Sequence, residues 1–342
     1  MKAVVFHEHG GPEVLRYTDV TEPRIHANEV LVRVRAVALN HLDLWVRRGL
    51  SGVSFAMPHI PGSDVAGEIE KVGELVKNVH VGQKVVLSPG VSCGQCEHCS
   101  AGDDNLCRQY TLIGYGTEGG CAEFVRAPGV NAIPMPENLS FEQAAAIPLV
   151  FLTAWHMLIA RARLTPGEDV LVIAGGSGVG SAAIQIAKMM GAHVIATVGT
   201  LEKAKKAKEL GADESVLHSE PKFSNEVKRI TARRGVDVVF EHVGQATWDQ
   251  SMASLKPGGR LVTCGATTGY DARIDIRFLF SRNLSVLGSY MGRRDELYKV
   301  MGLVARGKLH AVVDRVLPLQ RCAEAHAAME RREHFGKIVL TP

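Results

Sequence analysis

The sequence predicts an α/β protein in two parts. A mostly antiparallel β domain with barrel-like packing comes first, and a doubly wound parallel sheet follows. Three observations carry this. Residues 1–130 are rich in short Val-heavy runs broken by Gly and Pro. From Asp169 onward short apolar strands alternate with helical stretches, the rhythm of a parallel sheet with right-handed crossovers. Between the first such strand and helix lies a glycine-rich turn.

In the first part "EVLVRVRAVAL" (29–39), "DVAGEIEKVG" (64–73) and "GQKVVLSP" (82–89) read as strands ending in turns. "FEQAAAIPLVFLTAWHMLIA" (141–160) is helical in pattern, with Pro148 marking a break or kink. In the second part "DVLVIA" and "HVIATV" are strands, and "LEKAKKAKELGA" is the helix after the second. "DVVFEHV", "RLVTCGA" and "LSVLGSY" are later strands. The helices "RDELYKVMGLVARG" and "QRCAEAHAAMERRE" and the strand "GKIVL" close the chain. There is no internal repeat.

The 342 residues carry 39 Lys+Arg against 36 Asp+Glu, too balanced for a nucleic-acid partner, which needs clustered basic residues. The one basic run, "KAKKAK" (203–208), sits in a helical pattern and reads as a solvated face. No apolar run is long enough to span a bilayer, and the start is too short for a signal-peptide core, so no membrane and a cytoplasmic setting are expected.

The turn "AGGSGVG" places Gly175, Gly176, Ser177, Gly178, Val179 and Gly180 between strand and helix. Glycines there allow close approach to a pyrophosphate, and the helix N-terminus offers free N–H groups and a favourable dipole. With the flanking strands and helix in place, this is a dinucleotide site. Ser177 departs from the usual glycine pattern. In "ATVGTLEK" no Asp or Glu stands at the end of the second strand, where an acidic residue takes the ribose 2′-hydroxyl of NAD. That favours NADP(H), with Gly199, Lys203 and His218 near the 2′-phosphate. NAD(H) stays open, because Lys203 is equally suited to a solvated helix face.

Cys93, Cys96, Cys99 and Cys107 follow C-x2-C-x2-C-x7-C. Close cysteines in a reducing compartment mean metal rather than disulfides. A four-thiolate zinc site is closed to water and substrate, so one structural Zn²⁺ per chain is expected. A cubane iron–sulfur cluster is disfavoured by the polar loop and by the absence of a following Pro. Cys121, Cys264 and Cys322 stand apart and read as small buried residues.

Taken together, "GSDVAGEIEKVG", the cysteine lobe, "AGGSGVG" and "GKIVL" make the chain resemble the medium-chain dehydrogenase/reductase superfamily over nearly its whole length. The resemblance implies a GroES-like split β-barrel catalytic domain, residues 1–151 and 291–342, around a Rossmann coenzyme domain, residues 152–290. In zinc alcohol dehydrogenases of that family the cysteine lobe holds structural zinc and a second zinc polarises the alcohol. The positions implied for the second zinc's ligands are Asn40 in "NHLD", Ser63 in "GSD" with Asp64 for the Glu, and about Leu149 in "IPLVFLTAW". Zinc takes S, N or carboxylate O, and Asn, Ser and Leu hold it poorly. His41, His59 and Asp64 offer an unusual site in principle, though packing and hydrogen bonding explain each more simply.

The pattern is instead similar to the zinc-free quinone oxidoreductases and enoyl reductases. "FEHVGQATWDQS" and "CGATTGY" also look like the crotonyl-CoA reductase group. The expected reaction is hydride transfer from NAD(P)H to an activated C=C of an enone or enoyl thioester, or to a quinone. The alternative is a zinc alcohol dehydrogenase with atypical ligands. Expected partners are a small carbonyl, enoyl or quinone substrate and copies of the chain, as dimer or tetramer.

On this reading Asn40 faces substrate, Asp43 organises the site and Trp45 walls the pocket. Plain turn capping suits Asn40 and Asp43 nearly as well, and Trp45 equally suits the core. The resemblance places Thr153 and Val179 against the nicotinamide. Val243, Gly244, Cys264 and Gly265 follow strands and are expected to line the cofactor crevice. Lys337 is expected to reach the cofactor phosphates or close the cleft. Glu241–His242 is a minor candidate for an acid/base pair.

Overall fold

A computed structural model describes residues 1–218 and 222–342. Of the strands used below, β1 (Glu29–Ala38), β2 (Asp64–Val72), β3 (Lys84–Leu87), β4 (Phe124–Pro128) and β5 (Ala132–Pro134) come first in the chain. Strands β6 (Asp169–Val172), β7 (His193–Val198), β8 (Glu214–Leu217), β9 (Val236–Glu241), β10 (Leu255–Thr263) and β11 (Ser285–Gly288) follow. Then come β12 (Val313–Pro318) and β13 (Lys337–Thr341). The helices used below are α1 (His41–Arg48), α2 (Gly178–Met189), α3 (Leu201–Glu209), α4 (Arg294–Ala305) and α5 (Cys322–Glu330).

The chain divides into two compact units, Met1–Leu149 with Arg293–Pro342, and Val150–Gly292. In the first, the sheet runs β12-β13-β1-β2-β3-β5, with β4 also on β1. Its pairs are antiparallel except β12 with β13. The Val-rich alternation of β1 buries Val30, Val32 and Val34 in a core with Ile69, Val85 and Val125. The register fixes the site: Ala38 pairs with Asp64 on one side and with Val339 on the other. Asn40 just beyond β1, Asp64 opening β2 and Lys337 opening β13 are thereby brought to one end of the sheet.

Helix α1 starts where the chain leaves β1. Asn40 is its N-cap, and Asp43 closes a capping box by accepting the Asn40 N–H at 2.7 Å. The predicted helix at 141–160 divides near Pro148 into Phe141–Ala145, Pro148–Trp155 and a π-turn His156–Arg161. A proline at the first helical position loses no hydrogen bond, so the break falls where it can begin a helix.

The second unit holds a six-stranded parallel sheet, β8-β7-β6-β9-β10-β11. The order reverses between β6 and β9, the switch point outside which such sheets bind ligands. Strands buried on both faces read as continuous apolar runs, and β6 and β9 are buried throughout. Among the described residues no helix is long and apolar enough to cross a membrane.

Candidate functional site

In the first unit the positions expected to ligate a second metal converge, but on a lysine. Asp64 is fully buried and accepts three hydrogen bonds: from Lys337 Nζ at 2.8 Å, Asn40 Nδ2 at 3.0 Å and the Leu149 backbone N–H at 2.7 Å. Lys337 Nζ also donates to Asn40 Oδ1 at 2.5 Å. A buried carboxylate needs a cation and several donors, and this set supplies both. Ser63 is fully buried, and its Oγ has no hydrogen-bond partner in the described structure.

Two of the expected site residues are engaged with each other here. Lys337 is 3% exposed, and its ammonium is held by Asp64 and Asn40. Asn40 does not present its amide to a substrate, because Nδ2 and Oδ1 are taken by Asp64 and Lys337. The physical reason is common to both. Asp64 lies 273 residues from Lys337 in the chain, and no local spacing reveals the charge that a buried residue must neutralise.

Asp43 holds the turn beneath this network. It is fully buried, and its second oxygen accepts the Gly62 N–H at 2.9 Å. Gly62 has φ +106°, and a Cβ there would lie 2.9 Å from Cys121, so only glycine fits. Burial pushes the Asp43 carboxyl up to about 6, against the pull of His326 and of its two N–H donors. His41 packs edge-on against Trp45, ring centroids 5.0 Å apart. Burial, reinforced by Arg48 and Arg332, lowers His41 to about 4. Trp45 is half-buried. His59 is occupied by packing and by Gly114 O at 3.1 Å from its Nε2. His41 and His59 each have local partners of their own, and among the described residues no histidine is hydrogen-bonded to Asp64.

The four cysteines of the loop do come together, their Sγ atoms lying within 4.8 Å of one another. Cys93–Cys99 and Cys96–Cys99 are 3.9 and 3.6 Å apart. Tetrahedral thiolates at the usual Zn–S length stand roughly 3.8 Å apart, so the residues fit zinc. Backbone N–H groups of Cys93 and Gln109 point at Cys107 Sγ, at 3.3 and 3.4 Å, which suits a thiolate. This is the one group of His, Cys, Asp or Glu able to hold a metal among the described residues.

In the second unit the glycine turn follows β6. Ser177 is the N-cap of α2, with φ −75° and ψ 165°, and its Oγ accepts the Gly180 N–H at 3.0 Å. That backbone needs no glycine, which explains the departure from the usual pattern. Gly180 is required by space, since a Cβ there would lie 2.4 Å from Ala174 O. Of the first-turn N–H groups, those of Gly178 and Val179 face no acceptor within the helix. The turn thus fits an anionic pyrophosphate.

Gly199 follows β7, and a Cβ there would meet nothing within 4 Å. His218, just past β8, donates its N–H to Val198 O at 2.8 Å, so the two strand ends lie side by side. Lys203 is in the first turn of α3, its N–H capped by Thr200 Oγ1 at 3.2 Å. Thr153 is buried, its Oγ1 3.9 Å from Met291 Sδ. Past β9, the N–H groups of Val243 and Gly244 donate to Glu241 Oε2 at 3.0 and 2.9 Å, and Thr247 Oγ1 donates to Oε1. Cys264 N–H donates to Glu241 O at 3.3 Å, and Gly265 leaves room beside His242 O.

Glu241 and His242 do not form a pair. Successive strand residues point to opposite faces. Glu241 caps the turn after β9, with burial pushing its carboxyl above the ordinary range, while His242 reaches Ile173 O and Ser177.

A parallel sheet with this turn at its switch point, joined in one chain to a β unit bearing a four-cysteine lobe, defines a dinucleotide-dependent oxidoreductase. Comparison with known proteins agrees. Residues 26–137 match the alcohol dehydrogenase GroES-like domain, and residues 178–306 match the zinc-binding dehydrogenase domain. An alcohol dehydrogenase of Geobacillus stearothermophilus is 34% identical over 99% of both chains. A quinone oxidoreductase of Rattus norvegicus is 30% identical over 99% of this chain and 97% of its own. A crystal structure of an NAD-dependent alcohol dehydrogenase covers all of both chains with 46% identity and a TM-score of 0.97. The chain belongs to the medium-chain dehydrogenase/reductase superfamily, whose GroES-like and Rossmann folds are those of its two units.

Proposed function

We propose that the chain is an NAD(P)H-dependent reductase that delivers hydride to an activated C=C of an enone or enoyl thioester, or to a quinone, without a catalytic zinc. One observation carries the reading. The carboxylate of Asp64 is neutralised by Lys337 and saturated by Asn40 and Leu149. A zinc ion would need to displace that ammonium and then find S, N or O ligands where Asn40, Ser63 and Leu149 stand. The donor set does not fit, so no step runs through a second metal.

The nicotinamide, when bound, supplies the hydride. An activated C=C needs less Lewis-acid help than an alcohol, because hydride addition places negative charge on a carbonyl oxygen that hydrogen-bond donors can stabilise. The proton that ends the step comes from a side chain or water. In this reading Asn40 and Asp43 are positioning groups that hold the loop after β1, and Trp45 is a pocket wall. Thr153 and Val179 face the nicotinamide, and Val243, Gly244, Cys264 and Gly265 line the cofactor crevice. The absence of an acidic residue at the end of β7, with Gly199, Lys203 and His218 near the strand ends, supports NADP(H) over NAD(H). The protein works in the cytoplasm as a dimer or tetramer, for which the outer edge of β11, unpaired among the described residues, is a fitting contact.

Oxidation of an alcohol with a second zinc is the competing reading, supported by the similarity to alcohol dehydrogenases. Metal counting by mass spectrometry, followed by NADPH oxidation with an enone, enoyl thioester and quinone panel, separates the two. One zinc per chain with turnover on the panel is expected. Two zincs with oxidation of simple alcohols and a silent panel overturn the proposal.

A further inference from the structure

The serine that interrupts the glycine turn is held by a histidine from the neighbouring strand end. Nε2 of His242 lies 2.9 Å from the carbonyl oxygen of Ile173 and 3.3 Å from Oγ of Ser177. A carbonyl only accepts, so Nε2 carries the ring hydrogen. A nitrogen that carries hydrogen has no free lone pair, so Ser177 accepts from it rather than donating. The same Oγ accepts from the Gly180 N–H at 3.0 Å. Both acceptor sites of the hydroxyl are occupied, and its single hydrogen has no acceptor among the described residues. Ser177 is half-buried at the start of α2, beside the Gly178 and Val179 N–H groups that also face no acceptor within the helix.

We infer that Ser177 and His242 form a directed donor: the histidine and the Gly180 N–H occupy the acceptor sites of the hydroxyl, so its hydrogen is given to a diphosphate oxygen of the bound dinucleotide. His242 is a positioning residue and Ser177 the binding one. The proposal requires only that the chain binds a nicotinamide dinucleotide. It is independent of the proposed reductase reaction and of the NADP(H) preference.

Two ligands test it by titration calorimetry and ligand-observed NMR: ADP-ribose, which carries the diphosphate, and adenosine, which does not. Ser177→Gly is the main variant, because glycine at an N-cap costs a helix only a few tenths of a kcal/mol relative to serine while removing the hydroxyl. A hydrogen bond to a charged group lost in this way weakens ADP-ribose by about tenfold or more, with adenosine unchanged within about twofold. His242→Ala weakens ADP-ribose several-fold. His242→Gln, whose amide N–H reaches a similar point, restores most of it. The double variant Ser177→Gly, His242→Ala binds no more weakly than Ser177→Gly alone, because the histidine acts through the serine. A purely structural cap gives the opposite pattern: ADP-ribose affinity unchanged in Ser177→Gly, or both ligands weakened alike, or the two losses multiplying. Any of those results overturns the inference.

Discussion

The ammonium of Lys337 and the carboxylate of Asp64 stand 2.8 Å apart and are both buried. A buried pair contributes little over an apolar replacement, but removing one partner strands the other charge and costs about 3–5 kcal/mol. Lys337→Met is therefore expected to lower the unfolding free energy in urea by about that amount. Adding Asp64→Asn removes the stranded charge and keeps an acceptor for the Leu149 N–H. The double variant is expected to recover more than half of the loss. A Lys337→Met protein as stable as its parent would show that the pair is not what neutralises this end of the sheet.

Asp43 links the same network to pH. Its carboxyl is raised to about 6 by burial, against an ordinary 3.8. Between those values the folded protein holds a proton that the unfolded chain has lost. The contribution of Asp43 is therefore fully present below about pH 4 and declines as pH rises through about 6. Asp43→Asn removes this decline. It also turns an NH2 group toward one of the Asn40 and Gly62 N–H donors, at a cost of about 1–3 kcal/mol. Urea midpoints from pH 4 to 7 check both effects, and an unchanged slope in the variant rules out Asp43 as the titrating group.

His41 acts with the opposite sign. Burial holds its folded value at about 4, against 6.5 in the open chain. Below pH 6.5 the unfolded chain takes up the proton first, so the His41 contribution is full above that pH and is lost as pH falls toward 4. The loss at pH 5 is on the order of 2 kcal/mol or less. His41→Gln should narrow the gap between the midpoints at pH 5 and pH 7. If the gap stays as wide as in the parent, acid sensitivity has another source.

The elements were largely legible because their signals are local. β1, β2 and the helix after the glycine turn announced themselves through alternation, continuous apolar runs and turn residues. The cysteine loop was legible for the same reason, since its four ligands fall within 15 residues. The network around Asp64 was not. Asn40, Ser63 and Leu149 were legible as residues that hold zinc poorly, yet what stands there instead comes from the other end of the chain. Ser177 showed only as a departure from pattern. Its meaning depends on His242, 65 residues away, and on a tautomer set by the Ile173 carbonyl. Short elements with weak periodicity, such as β8, Phe223–Ile230 and β12, take their form from packing against neighbours rather than from their own sequence.

The cysteine lobe gives a test of how far structural metal and cofactor binding are separate. Next to the loop, Asp104 accepts the Arg294 N–H at 3.1 Å, and Asp103 lies 3.5 Å from the Arg293 guanidinium, both at the start of α4. Zinc fixes four thiolates of the loop that carries these two aspartates, so its removal loosens the aspartates with it. Chelation, or Cys107→Ser, is expected to release one zinc per chain and lower the melting temperature by several degrees. Amide exchange should rise across residues 93–107 and also at Arg294, which lies far away in sequence but bonds to Asp104. The glycine turn belongs to the other compact unit, so ADP-ribose affinity should hold within about twofold, the scatter expected of sites that share no partners. If exchange rises in the loop but not at Arg294, the loop does not anchor α4. If ADP-ribose affinity falls together with the metal, the zinc is not confined to a structural role.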